Sequence, residues 1–154
     1  MPTHRFLKIA CLAPVAAALA VPAGAGAALP GAGHGFGGLT DQPLFASAPR
    51  GGPVELTINR DGKRVAHATA TLLLSCSSGG TVVVPDRYRS MKIGRNRAFH
   101  ASFTDEDGSS GSIHGSFNRA RTKASGTWSL TEVFTDTTGT ETCKSGKVKW
   151  SVKR

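Results

Sequence analysis

A long alternation of apolar and polar residues within the segment from Val65 to Cys76 constrains the fold more than any other feature. One face of this segment carries apolar side chains, namely Ala66, Ala68, Ala70, Leu72, Leu74 and Cys76. The other face carries His67, Thr69, Thr71 and Ser75, with Leu73 as the exception. A period of two predicts a β-strand with one buried face. Because Cys76 ends the apolar face, we expect its side chain to point into the core.

The N-terminus has the layout of a secretory signal peptide. A positive segment containing Arg5 and Lys8 precedes an apolar stretch from Ile9 to Ala20, and small residues follow up to Ala27. We predict that residues 1–27 are cleaved near Ala27, and that the mature protein is secreted and has no transmembrane segment. A membrane anchor is disfavoured because the apolar stretch is short and contains Pro14.

Removal of this segment would leave two cysteines, Cys76 and Cys143. Cys11 invites a lipoprotein interpretation, but Lys8 stands where such signals usually have leucine, so we assign Cys11 to the discarded segment. An even number of cysteines in an exported chain indicates a disulfide, and only one pairing remains. Closing so long a loop should stabilise the fold by about 4 kcal/mol in the chain-entropy model.

The remaining chain divides into a Gly/Ala/Pro-rich lead-in, residues 28–52, and a β-domain, residues 53–154. We expect the lead-in to be flexible, although part of it could add an edge strand. In the domain, Val54, Leu56 and Ile58 predict a strand, and Asp61-Gly62 predicts a tight turn in which both residues have positive φ.

Further turn signals recur about every ten residues. Thr81 to Val84 predicts a short strand buried on both faces and ended by Pro85, with a polar connection up to Ser90. Gly94-Arg95-Asn96 predicts another hairpin turn, and the phase of Val133 suggests a β-bulge near Glu132. The count of about eight strands without a convincing helix predicts an all-β fold, either an antiparallel β-sandwich or a small barrel.

Several short motifs over residues 53–154 suggest a group of related proteins. They are Gly115-Ser116-Phe117, Ala124-Ser125-Gly126-Thr127 and the run from Cys143 to Trp150 near the chain end. With them, the chain resembles small exported β-proteins of high-GC Gram-positive bacteria. No activity is established for that group, so the resemblance implies a fold and an exported location only.

Basic residues are the most distinctive surface feature. The sequence has 19 Lys and Arg residues and 10 Asp and Glu residues, which gives a formal net charge of +9. Three basic groups supply the candidate anion-binding residues Arg87, Arg89, Arg95, Arg97, Arg119, Arg121, Lys147 and Lys149. Such groups attract nucleic acid, acidic cell-wall polymers or anionic lipid head groups. A plainer alternative is a basic surface that keeps edge strands from aggregating. Tyr88 is the one aromatic residue that we expect to be exposed for base stacking.

Signals for catalysis and metal binding are weak. His100 and His114 on adjacent strands could meet as a metal pair, but no carboxylate or cysteine accompanies them. The acidic loop at Asp105 lacks EF-hand spacing, and no G-x-S-x-G motif is present. We therefore predict no metal, no cofactor and no enzymatic activity. The expected function is that of an exported module with a structural or binding role at the cell envelope or outside it. The alternative is a binder of anionic envelope polymers or nucleic acid, and an enzyme or protease inhibitor of unknown type is a third hypothesis.

Overall fold

The structure, a computed structural model, describes residues 34–45, 48–137 and 139–154. In these residues the chain forms nine strands and no helix. The strands are β1 (Gly35–Phe45), β2 (Ala48–Ile58), β3 (Arg64–Cys76), β4 (Thr81–Lys92), β5 (Ala98–Thr104), β6 (Ser110–Phe117), β7 (Lys123–Asp136), β8 (Gly139–Lys144) and β9 (Val148–Lys153). Every described strand pair is antiparallel, which confirms the predicted all-β, antiparallel fold.

The sheet closes on itself as a six-stranded barrel. Strand β1 pairs with β2 and β9, β2 pairs with β3, and β7 pairs with both β9 and β8. The end of β8 then returns to β3 and completes the ring. Strand β4 extends the sheet beyond β3, while β6 and β5 extend it beyond β7. Of the two predicted architectures, the barrel is therefore the one observed, with nine strands rather than about eight.

The disulfide lies where the ring closes. Cys76 of β3 and Cys143 of β8 are directly opposite each other and are joined by the predicted bond. Next to it, the Gln42 side chain fills a gap between strands: its Nε2 donates to Leu73 O at 2.7 Å and to Ser145 O at 3.3 Å, and its Oε1 accepts from Leu73 N at 3.0 Å. The closure thus combines the backbone pairing of β8 with β3, one disulfide and one bridging side chain.

The inward faces of the strands form one apolar core. The alternating residues predicted for β2, β3 and β6 are buried there, among them Val54, Leu56, Leu72, Leu74 and Ile113. Trp128 and Trp150 are also buried, and the rings of Phe99 and Phe117 pack 5.3 Å apart between centroids. The period-two pattern therefore assigned these faces correctly except at the two ends of β3, where Val65 is buried instead of Ala66 and Cys76 is only half-buried.

The predicted boundary between lead-in and domain is wrong. Residues assigned to a flexible lead-in form β1 and the first part of β2, and β1 is paired on both sides rather than at an edge. Glycine obscured this strand, because Gly37 and Gly38 have no side chain to show alternation. The predicted signal peptide, residues 1–27, lies outside the described residues.

The prediction for β4 is also wrong. The strand continues through Pro85 to Lys92, so the expected polar connection does not exist. Proline is tolerated because β4 is the last strand on its side of the sheet, where one set of backbone N–H groups has no partner strand. Val82 to Val84 are half-buried, not buried on both faces, and Tyr88 is buried rather than exposed.

Three local features of the turns also differ from expectation. In the Asp61-Gly62 turn only Gly62 has a positive φ, of 67°. The turn after β4 is present, but β4 and β5 are the two ends of the strand order and do not pair with each other in the described sheet. The register of β7 with β8 is continuous across Glu132, so the bulge predicted there is absent. The change of phase between Cys143 and Trp150 also predicts a turn or bulge at Ser145-Gly146, and this one is present between β8 and β9, where Gly146 has φ 65°.

Gly38 permits a close approach between β1 and β9. A Cβ at Gly38 would collide with the carbonyl oxygen of Ser151, whereas one at Gly37 would meet nothing within 4 Å. We expect Gly38→Ala to lower the free energy of unfolding by about 1–3 kcal/mol, because the backbones must separate. The control Gly37→Ala should stay within about 0.5 kcal/mol of wild type. Urea denaturation of both variants measures the difference, and equal losses would contradict the assigned close approach.

Candidate anion-binding surface

Three loops and the C-terminal residues meet at one end of the barrel. Hydrogen bonds join them in sequence: Ile93 N donates to Lys63 O at 2.8 Å, Phe117 N donates to Arg97 O at 3.1 Å, and Arg154 N donates to Thr122 O at 3.0 Å. We call this surface the basic end and define it as residues 59–64, 92–97, 118–123 and 153–154. Its loops therefore form one connected surface rather than independent tips.

The basic end concentrates positive charge. It contains eleven basic residues, namely Arg60, Lys63, Arg64, Lys92, Arg95, Arg97, Arg119, Arg121, Lys123, Lys153 and Arg154. Asp61 is the one carboxylate side chain in these segments, and its Oδ1 accepts a hydrogen bond from Lys63 N at 2.8 Å. Like charges at this density repel one another and attract multivalent anions.

Two of these arginines also shape the loops. The backbones of Arg97 and Arg121 are left-handed, with φ of 65° and 53°, a conformation that non-glycine residues rarely adopt. Arg121 Nη1 donates to Gly62 O at 2.8 Å, and Arg97 Nε donates to Phe117 O at 3.2 Å. These bonds hold each guanidinium group near a neighbouring loop, so the positive charges are partly pre-positioned.

The structure brings together only half of the predicted anion-binding residues. Arg95, Arg97, Arg119 and Arg121 lie at the basic end. The other four lie on two separate parts of the outer surface. Arg87 and Arg89 belong to β4, whereas Lys147 immediately precedes β9 and Lys149 lies within it. Strands β3, β2 and β1 separate β4 from β9 in the sheet, so the three predicted groups do not form one patch.

Sequence reasoning missed the contribution of the β2–β3 turn. Arg60, Lys63 and Arg64 flank Gly62 and join the basic end through the bond from Arg121. A signal was present: in a meander of antiparallel strands, alternate turns lie at the same end. The turns at 59–63, 93–97 and 118–122 are alternate turns, so their charges add.

An open groove runs beside the basic end across β1, β9, β7 and β6. Its volume is about 660 Å³, and its walls include Lys123 and Lys153, which are opposite each other in register. Ser116, Ser125 and Ser151 line it with hydroxyl groups. The residues that line it include no carboxylate, so the groove extends the positive surface with hydrogen-bonding groups.

The opposite end of the barrel is acidic. Six carboxylates lie on it or on the parts of β7 and β8 that lead to it, namely Asp105, Glu106, Asp107, Glu132, Asp136 and Glu141. We call this group the acidic end. Segments 105–109 and 132–141 contain no basic residue. The barrel is therefore strongly dipolar, which would orient it in the field of a charged polymer.

Asp86 is a half-buried carboxylate in the middle of β4. Trp128 Nε1 donates to Asp86 Oδ2 at 2.6 Å, and Arg87 N donates to Asp86 Oδ1 at 2.7 Å. Burial raises the pKa of Asp86 above its ordinary value, against the effect of these two bonds. Burial, and secondarily the Asp86 charge, also raise the pKa of Tyr88, whose hydroxyl has no hydrogen-bond partner among the described residues.

The Asp86–Trp128 bond should matter to stability. Asp86→Ala removes the acceptor of a buried indole N–H, and we expect it to lower the free energy of unfolding by about 1–3 kcal/mol. In a Trp128→Phe background the same substitution should cost clearly less, because no donor is left unpaired. A double-mutant cycle by urea denaturation measures this coupling. Additive effects would show that the hydrogen bond contributes nothing.

Glu132 makes stability depend on pH. Burial first, then the charges of Asp86, Asp107 and Asp105, raise the pKa of Glu132 above its ordinary value of 4.5. The folded state then binds the proton more tightly than the unfolded chain, so stability falls as pH rises through this range. Glu132→Gln should remove that loss and stabilise the protein near neutral pH.

The gain should be below about 1 kcal/mol, because Glu132 is only half-buried and solvent screens its charge. Urea denaturation at about pH 3 and about pH 7 tests it, with a gain expected only at the higher pH. Glu106→Gln, which removes an exposed charge of the same end, is the control. An equal gain in both variants would mean that net charge alone is responsible.

Comparisons with known proteins add no family to this picture. No protein-family model, curated protein or solved structure matches the chain significantly. The resemblance to small exported β-proteins therefore stays a prediction. Within the described residues, no helix is long and apolar enough to cross a membrane.

Proposed function

We propose that the protein is an exported, non-enzymatic binding module whose basic end holds anionic polymers. One observation carries this proposal: the basic end holds eleven basic side chains and a single carboxylate side chain, that of Asp61. Hydrogen bonds between its loops join these charges into one surface. A single small anion would engage a fraction of these charges. A polymer with repeated phosphate or carboxylate groups would engage many of them at once and release its counterions.

The aromatic residues favour a polymer recognised by its charged backbone. Proteins that bind single-stranded nucleic acid without sequence preference stack bases on exposed aromatic rings. Here Tyr88, Trp128 and Trp150 are all buried, and the exposed ring of Phe134 lies on β7 near the acidic end, away from the basic end. The groove next to the basic end offers serine hydroxyls and lysines instead, which suit a sugar or polyol phosphate chain. We therefore favour acidic envelope polymers over nucleic acid as partners.

One observation supports an exported location. The Cys76–Cys143 disulfide is typical of proteins that fold in an oxidising compartment. Basic end and acidic end lie at opposite ends of the barrel, so a surface-bound module could face an anionic wall with the basic end and leave the other exposed. The signal peptide itself remains part of the proposal.

The test is the binding of the full chain to inorganic polyphosphate as a function of salt. We expect log affinity to fall linearly with log salt between about 50 mM and 200 mM, with a slope of about −0.7 to −0.9 for each phosphate bound by a basic side chain. Uncharged dextran is the control polymer and should not bind. Absence of polyphosphate binding at low salt, or binding that salt does not weaken, would overturn the proposal.

A further inference from the structure

The outer face of β5 and β6 holds two histidines side by side, away from the basic end. His100 of β5 lies directly opposite His114 of β6 in the antiparallel register. Their ring centroids are 5.9 Å apart, and the ring planes differ by only 13°. Both residues are exposed, so a solute can reach the imidazole nitrogens from solvent.

The strand pair fixes the spacing that a metal ion needs. Residues directly opposite on adjacent antiparallel strands have Cβ atoms about 4.5–5.5 Å apart. Zinc binds imidazole nitrogen at about 2.0–2.1 Å, so two ligating nitrogens must come within about 4 Å of each other. In the stacked arrangement the ring planes are nearly parallel, so the rings must turn toward each other before both lone pairs can point at one ion. Exposed side chains change rotamer readily, which allows this turn.

We propose that His100 and His114 form a two-histidine site for a divalent transition-metal ion of the zinc type. Neutral imidazole is a preferred ligand for such ions, whereas calcium and magnesium prefer oxygen ligands. Among the described residues, no third histidine, cysteine or carboxylate joins the pair closely enough to ligate the same ion. The site therefore differs from a closed structural zinc site and keeps coordination positions open.

The surroundings of the pair suit an exchangeable anionic ligand at those open positions. Across the sheet, Thr127 of β7 lies directly opposite His114, and Lys149 of β9 lies directly opposite Thr127. A groove of about 480 Å³ adjoins His114 and is lined by Thr127, Ser129 and Lys147, among others. The lysines weaken the attraction for a bare cation, but they stabilise an anion that binds to the metal.

The test titrates the untagged full chain with Zn²⁺ alone, near neutral pH, by isothermal calorimetry. His100→Ala and His114→Ala should each weaken Zn²⁺ binding by about tenfold or more, because one of two ligand bonds is removed. The matched control is His67→Ala, which removes an exposed histidine from the outer face of β3, opposite Arg89. That variant should bind Zn²⁺ like wild type.

A second measurement guards against an indirect effect of the substitutions. In an NMR titration of the wild-type protein, the ring signals of His100 and His114 should shift together and with the same apparent affinity. The proposal is overturned if His67→Ala weakens binding as much as the other variants, or if only one ring responds to Zn²⁺.

Discussion

Replacing Cys76 and Cys143 together by alanine is expected to lower the free energy of unfolding by about 4 kcal/mol in the chain-entropy model. The two cysteines are 67 residues apart in sequence, so the disulfide removes much of the conformational freedom of the unfolded chain. It also joins β3 to β8 at the point where the ring of strands closes. Urea denaturation followed by circular dichroism measures the loss.

Reduction of the wild-type protein is the control for the double variant. A strong reductant should bring the stability of the wild type close to that of the variant and should not change the variant further. Two results would contradict the assignment: a variant within about 1 kcal/mol of wild type, or a variant that a reductant still destabilises. The second result would point to an intermolecular disulfide through Cys11, the one cysteine that the variant retains.

The charge-reversal variant Arg95→Glu/Arg119→Glu should lower affinity for polyphosphate by about 10- to 100-fold at low salt. Both side chains are exposed, and they lie on two different loops of the basic end. Arg97 and Arg121 are left in place because their guanidinium groups bond to backbone carbonyls, and replacing them could disturb the loops. The log–log salt slope should become shallower by about 0.7 to 0.9 for each phosphate that the variant no longer neutralises.

The matched control is Lys147→Glu/Lys149→Glu. It changes the net charge by the same amount, but these lysines lie at and just before the start of β9, outside the basic end. We expect it to reduce polyphosphate affinity only slightly, through the long-range field. Equal losses in the two variants would show that the polymer responds to net charge, not to the basic end.

The parts of the fold that the sequence predicted depend on local alternation. In β3, Leu72 and Leu74 face inward because side chains alternate along a strand, whatever its neighbours are. The pairing of Cys76 with Cys143 needed only the count of cysteines expected after export. Neither prediction required knowledge of which strands lie side by side.

The parts that failed depend on distant partners. Pro85 continues β4 because the strand is at an edge, and Tyr88 is buried because Trp128 packs against it with centroids 5.5 Å apart. The glycine-rich β1 is a strand because β2 and β9 pair with it on both sides. Local patterns could not reveal these pairings, because they depend on how the whole sheet is arranged.

The candidate site was predicted only in part for the same reason. The basic groups were visible as clusters along the chain, but their position depends on which turns share an end of the barrel. Arg95 and Arg119 are brought together by strand direction, whereas Arg87 and Lys147 are kept apart by three strands of sheet. The number of basic residues in the sequence indicated an anionic partner. The strand topology was needed to show that these residues gather at the basic end.

A residue-resolved NMR titration of the isotope-labelled full chain with short-chain polyphosphate tests the central claim most directly. Amide signals of the basic end, at residues 59–64, 92–97 and 118–123, should shift together with one affinity. Signals of the loop at 105–109 in the acidic end should not move. Shifts spread evenly over the barrel, or concentrated at β4 and β9 instead, would contradict the assignment of the basic end as the anion-binding surface.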